Sequence, residues 1–111
     1  MNEQGYIEKL SLLWPRAGEA SAEAIRLADE AVGEQPGSAK LWCMRGNLIE
    51  LGPESCPYKL DEALNCYLRA VEVNPTFAEA YEEAGHFYDN VPGQRDKARS
   101  FFQRAKELRK E

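Results

Sequence analysis

The stretch AVGEQPGSAKLWCMRGNLIE at residues 31–50 returns 39 residues later as AVEVNPTFAEAYEEAGHFYD. The match pairs Ala31 with Ala70, Val32 with Val71, Pro36 with Pro75, Ala39 with Ala78, Trp42 with Tyr81 and Gly46 with Gly85. A second match, 35 residues apart, sets DEALNCYLRAVEV beside DKARSFFQRAKEL, so that Ala63, Tyr67 and Ala70 answer to Ala98, Phe102 and Ala105. Self-similarity at this period restricts the fold severely. A unit this short cannot bury its own apolar face, so the units must stack and share one continuous core.

Within the unit the spacing is helical. Ala63, Tyr67, Ala70 and Val71 fall at i, i+4, i+7 and i+8, one stripe on a helix. Asn74-Pro75 ends that helix, because proline disfavours helical geometry in the residue before it. Tyr81, Ala84, Gly85 and Tyr88 open a second stripe at i, i+3, i+4 and i+7. Small residues alternate with rings, which suits short helices packed closely side by side. On these residues the chain resembles the tetratricopeptide repeat family. That family's sequence pattern is met by Trp42, Gly46 and Ile49, then Ala63, Tyr67, Ala70 and Pro75. It is met again by Tyr81, Ala84, Gly85 and Tyr88, then Ala98, Phe102 and Ala105.

The expected architecture is all-α, a right-handed α-solenoid of three helix-turn-helix repeats, in one domain over residues 1–111. Six antiparallel helices are expected near 3–14, 19–33, 39–51, 61–73, 78–89 and 95–109, with repeats at 5–38, 39–77 and 78–110. In the first repeat Ala24, Ala28 and Ala31 take the places of Ala63, Tyr67 and Ala70, so a small residue replaces the ring. Terminal repeats often depart from pattern in this way, having a neighbour on one side only. Residues 52–60 carry about five residues more than a standard repeat turn, an insertion that is either a tolerated loop or a functional one. The last helix ends the array with Phe101, Phe102 and Leu108, and the resemblance leads one to expect a capping helix after it. Its absence means a fragment, a covering molecule, or an outer face polar enough to stand alone; its Lys and Arg content favours the last.

Charge narrows the function. The net charge of −5 argues against nucleic acid, which needs clustered cations. No apolar run reaches the roughly 18 residues of a membrane span, and the acid-bearing start is unlike a secretory signal. A cytoplasmic protein is the resulting expectation. Cys43, Cys56 and Cys66 are odd in number and form no close pair, which fits free thiols and neither a disulfide framework nor a zinc site. No catalytic constellation is visible, so no enzyme activity and no cofactor or metal is expected.

Function then falls to a surface. The resemblance implies that the first helix of each repeat lines a concave groove holding a peptide segment of another protein. Carried over, the groove wall consists of Lys40, Cys43, Asn47 and Glu50 from the third helix, and of Glu79, Glu82, His86 and Asp89 from the fifth. Lys9 and Leu13 are weaker candidates. The subclass that clamps chaperone carboxylates would need cations where Lys9, Leu13, Met44, Glu79 and Glu83 stand, and Lys9 alone agrees. An acidic groove selects a segment bearing Lys or Arg; alternatively these acids only solvate the helix. A second reading is structural: the array self-associates, as a homodimer, or is built into a larger complex, through an end helix where Phe101 and Leu108 lie.

Overall fold

The computed structural model describes residues 1–110, and its regular structure is six α-helices with no strand among the described residues. They are α1 (Glu3–Leu13), α2 (Ala22–Glu34), α3 (Ala39–Glu50), α4 (Leu60–Val73), α5 (Ala78–Asp89) and α6 (Arg95–Lys110). Local chemistry sets several of these limits. Asn2, Ser21 and Ser38 stand at the N-caps of α1, α2 and α3, accepting from the backbone N–H of Gly5, Ala24 and Leu41. Ser21 is why α2 starts at Ala22 and not at residue 19, where apolar spacing alone would begin it. Ahead of α5, Asn74 Oδ1 accepts from the Thr76 backbone N–H at 3.3 Å and its hydroxyl at 2.9 Å, closing the turn.

The repetition extends to single hydrogen bonds. Trp42 Nε1–H donates to the Pro36 carbonyl at 2.8 Å, and the Tyr81 hydroxyl donates to the Pro75 carbonyl at 2.8 Å. Each ring thereby fastens the start of its helix to the turn before it. Gly46 lies against the Tyr67 ring and Gly85 against the Phe102 ring, so the second and third helix pairs use the same close approach. In the first pair the sizes are exchanged. Leu10 and Ala28 hold the corresponding places, at 0% and 1% exposure, in one core cluster with Leu41 and Leu48. Keeping the summed volume is what cores demand, and either order of large and small satisfies it.

Each helix packs against its neighbours in the chain. In addition α1 touches α3 and α3 touches α5, whereas α2, α4 and α6 make no contact with one another among the described residues. The odd-numbered helices therefore form the inner layer and the stack curves around them. Where α2 and α4 diverge, the long turn at 51–59 fills the wedge. Tyr58 Oη donates to Asp29 Oδ2 at 2.7 Å, and its ring lies 4.7 Å from the Arg45 guanidinium. Arg45, 7% exposed, reaches Asp29 Oδ1 at 2.9 Å, Glu62 Oε2 at 2.7 Å and Cys66 Sγ at 3.0 Å. One guanidinium thus ties α2, α3, α4 and the inserted loop together. Phe101 and Leu108, seven residues apart on α6, are both half-buried, and the Phe101 ring is stacked 5.5 Å from Tyr88. No described helix is long and apolar enough to cross a membrane.

Candidate functional site

The inner layer presents two adjoining features. Ile7 and Ser11 of α1 and Trp14, which caps its C-terminus, face Lys40, Met44 and Asn47 of α3 across a groove of about 270 Å³. Lys40, Met44 and Asn47 are spaced i, i+4, i+7 and so form one face of α3. Beside the groove, Lys40 Nζ donates to Glu79 Oε1 at 3.0 Å and Oε2 at 3.2 Å, bridging α3 to α5. The buried Tyr67 hydroxyl lies 2.8 Å from Glu50 Oε1 and 2.9 Å from Asn47 Oδ1 and holds both from beneath. One turn along from Glu79, Glu83 is half-buried and makes no ion pair among the described residues. Burial raises its carboxyl above the usual range, the charges of Glu79 and Glu50 add to the rise, and His86 opposes it.

Lys40, Asn47, Glu50 and Glu79 therefore share the inner face, and His86 follows Glu79 and Glu83 on the same face of α5, whereas Cys43, Glu82 and Asp89 do not join them. Cys43 is fully buried, because α5 covers this side of α3. Its counterpart Glu82 has no following helix over it among the described residues. Glu82 instead pairs with Arg109 of α6, and with Asp89 it lines a separate groove of about 480 Å³ between α5 and α6. His86 is exposed and meets Phe102 of α6 edge-on at 5.0 Å. Of the weaker candidates, Lys9 and Leu13 lie on the opposite side of α1, against α2. What the sequence pattern passed over is Ile7, Ser11 and Trp14, while Glu83 and Met44 entered it only as places where a carboxylate clamp would need cations. A signal existed, since Glu79 and Glu83 are spaced i, i+4 on the helix face that Lys40 bridges to.

Among the described residues, no group of three or more His, Cys, Asp or Glu side chains could hold a metal. All three cysteines are free thiols. Burial pushes the Cys43 thiol far up, with Glu79 and Glu83 adding to it. Burial likewise raises Cys66 to about 11, against the pull of Arg45. Neither is a nucleophile in the folded state.

Comparison with known proteins agrees with this geometry. A family model described as a TPR repeat, the tetratricopeptide repeat, matches residues 59–90. Anaphase-promoting complex subunit 3 of Schizosaccharomyces pombe is 32% identical over 79 residues, which is 71% of this chain and 11% of that protein. The crystal structure of MamA superposes with a TM-score of 0.65 at 25% identity, over 78% of this chain and 47% of the MamA chain. The chain thus spans a small part of the first relative and about half of the second. With the paired ring-to-proline bonds, the paired glycine approaches and these likenesses, the chain is a tetratricopeptide-repeat protein, of a family that generally serves as protein-interaction scaffolds.

Proposed function

We propose that the inner face holds an extended peptide segment of another protein, one carrying an apolar side chain followed by Lys or Arg. The observation that carries this reading is the juxtaposition, on one face, of an apolar trough and carboxylates. Ile7, Trp14 and Met44 supply the trough, and Glu50, Glu79 and Glu83 stand beyond it. Glu83 is desolvated and repelled by its neighbours before any ligand arrives. An incoming cation relieves that repulsion, so part of its own desolvation cost is offset at the site. An acidic segment meets the opposite balance.

Trp14 provides the reporter. In a Trp42→Phe background its fluorescence should respond to a peptide library of the form apolar–x–Lys/Arg and not to the same library with Glu in place of the cations. Glu83→Lys should weaken the best peptide by at least about tenfold, the scale of one charge-assisted contact. Glu82→Lys, on the other side of α5, should leave it unchanged. Equal binding of the acidic library, or equal loss from both substitutions, would overturn the reading.

A further inference from the structure

Each inner helix of the stack has a backward face, and the backward faces correspond. On α3 it is Leu41, Arg45 and Leu48, which pack onto the first helix pair, both leucines at 0% exposure. On α5 it is Ala80, Ala84 and Phe87, packed onto the second pair. The forward faces set the register for α1: Ile7, Ser11 and Trp14, which meet α3, lie 36 residues before Cys43, Asn47 and Glu50. The same offset places Gly5, Lys9 and Leu12 of α1 where Leu41, Arg45 and Leu48 stand. Leu12 is 85% exposed, the most exposed large apolar side chain of those described. A residue that is sealed in α3 and packed in α5 is bare in α1.

The other end of the molecule carries the matching seat. The groove that receives α5 is built from Cys43 and Glu50 of α3 and from Ala63, Tyr67, Ala70 and Val71 of α4. Their counterparts are Glu82, Asp89, Ala98, Phe102, Ala105 and Lys106, all of which line the open groove between α5 and α6. Its floor of Ala98, Ala105 and the Phe102 ring suits a leucine. Its rim carries Arg99 and Lys106, while Glu23 and Glu30 of α2 flank Leu12 at the first end. The two ends therefore differ in shape, a ridge against a groove. The α5–α6 groove is rich in cations, with Arg95, Arg99, Lys106 and Arg109 against Glu82 and Asp89, whereas beside the exposed Leu12 the carboxylates Glu23 and Glu30 stand among Lys9 and Arg26, so any charge pairing between the ends runs through those two carboxylates.

We propose that a second copy of this chain seats its α1 ridge in the α5–α6 groove of the first, continuing the stack across the junction. Leu12 enters over Ala98, Ala105 and Phe102, and the α2 carboxylates face Arg99 and Lys106. The contact joins two different surfaces, so it does not close on itself and each added copy leaves a ridge and a groove free.

Sedimentation of the full chain from micromolar to millimolar concentration tests this. The wild-type mass should rise past that of a dimer with concentration and fall with added salt. Leu12→Asp and the pair Arg99→Glu with Lys106→Glu alter exposed side chains, and circular dichroism verifies that both proteins stay helical. Each alone should sediment as a monomer. Mixed in equal amounts they should form dimers and stop there, since one retains a working groove and the other a working ridge. A wild-type monomer throughout, a Leu12→Asp protein that associates as the wild type does, or a mixture that stays monomeric would each overturn the proposal. The last outcome would mark a contact between two like ends.

Discussion

Replacing Gly46 by alanine separates two opposed effects of one methyl group. Alanine favours a helix interior over glycine by about 1 kcal/mol. At Gly46, however, the new Cβ would stand 2.5 Å from Tyr67 Cε1, 2.9 Å from Cζ and 3.1 Å from the Ala63 carbonyl oxygen. Carbon atoms settle near 3.5–4.0 Å, so the ring has to retreat by about 1 Å. It has little room to do so: Tyr67 is fully buried, and its hydroxyl is engaged by Glu50 and Asn47. Overpacking of this kind costs about 1–3 kcal/mol, and weakening the hydroxyl contact adds about 1 kcal/mol more. After the helical gain is subtracted, the expected net loss is about 2 kcal/mol. Gly33 is the control. It lies in α2 with no atom within 4 Å of the place its methyl group would take, and it has no positive φ, so Gly33→Ala should gain about 0.5–1 kcal/mol. Urea unfolding with an unchanged m value reads both. Combining Gly46→Ala with Tyr67→Phe should recover part of the loss, because an unanchored ring can shift. A Gly46→Ala protein as stable as Gly33→Ala would refute the close approach between α3 and α4.

Three further outcomes follow from the buried charges and thiols. Arg45→Leu strands Asp29 and Glu62, whose side chains are 34% and 32% exposed and can rehydrate; the loss should be about 2 kcal/mol, below the roughly 3–5 of a fully buried pair, by thermal or urea unfolding. Glu83 has a folded pKa above its reference of 4.5, so the folded state binds more protons in that window and stability falls as pH rises through it. Glu83→Gln should therefore raise the melting temperature at neutral pH, and the gain should vanish in acid where both states are protonated. Of the free thiols, half-buried Cys56 should react with a thiol reagent in the native protein, while Cys43 and Cys66 react only on unfolding; prompt labelling of all three would contradict their burial.

The helices and their turns were legible because the signals that make them are short-ranged. A proline turn and an apolar stripe act within a few residues, and a period of 35 to 39 residues carries them around the stack; the equally local cap at Ser21 went unread, so α2 was expected from residue 19. That small residues and rings would interlock was legible too, but the particular pairs, Gly46 with Tyr67 and Gly85 with Phe102, came from the structure. The orientation of the acids was not. Glu82 and Glu83 are adjacent in sequence and about 100° apart around α5, which puts one on the end groove and the other on the inner face. The repeat pattern assigns Cys43 and Glu82 one role, yet Cys43 is sealed and Glu82 is open, because α5 follows α3 and, among the described residues, no helix follows α5 in that place. Arg45 gave no sign in its own repeat that it would gather Asp29, Glu62, Tyr58 and Cys66, partners brought from three other segments. The sequence alone determined the repeating unit, the order and approximate limits of its helices, and that small residues would meet rings between them. Tertiary structure decided which surface each unit leaves uncovered, because exposure depends on the neighbour that packs next and not on the residues of the unit itself.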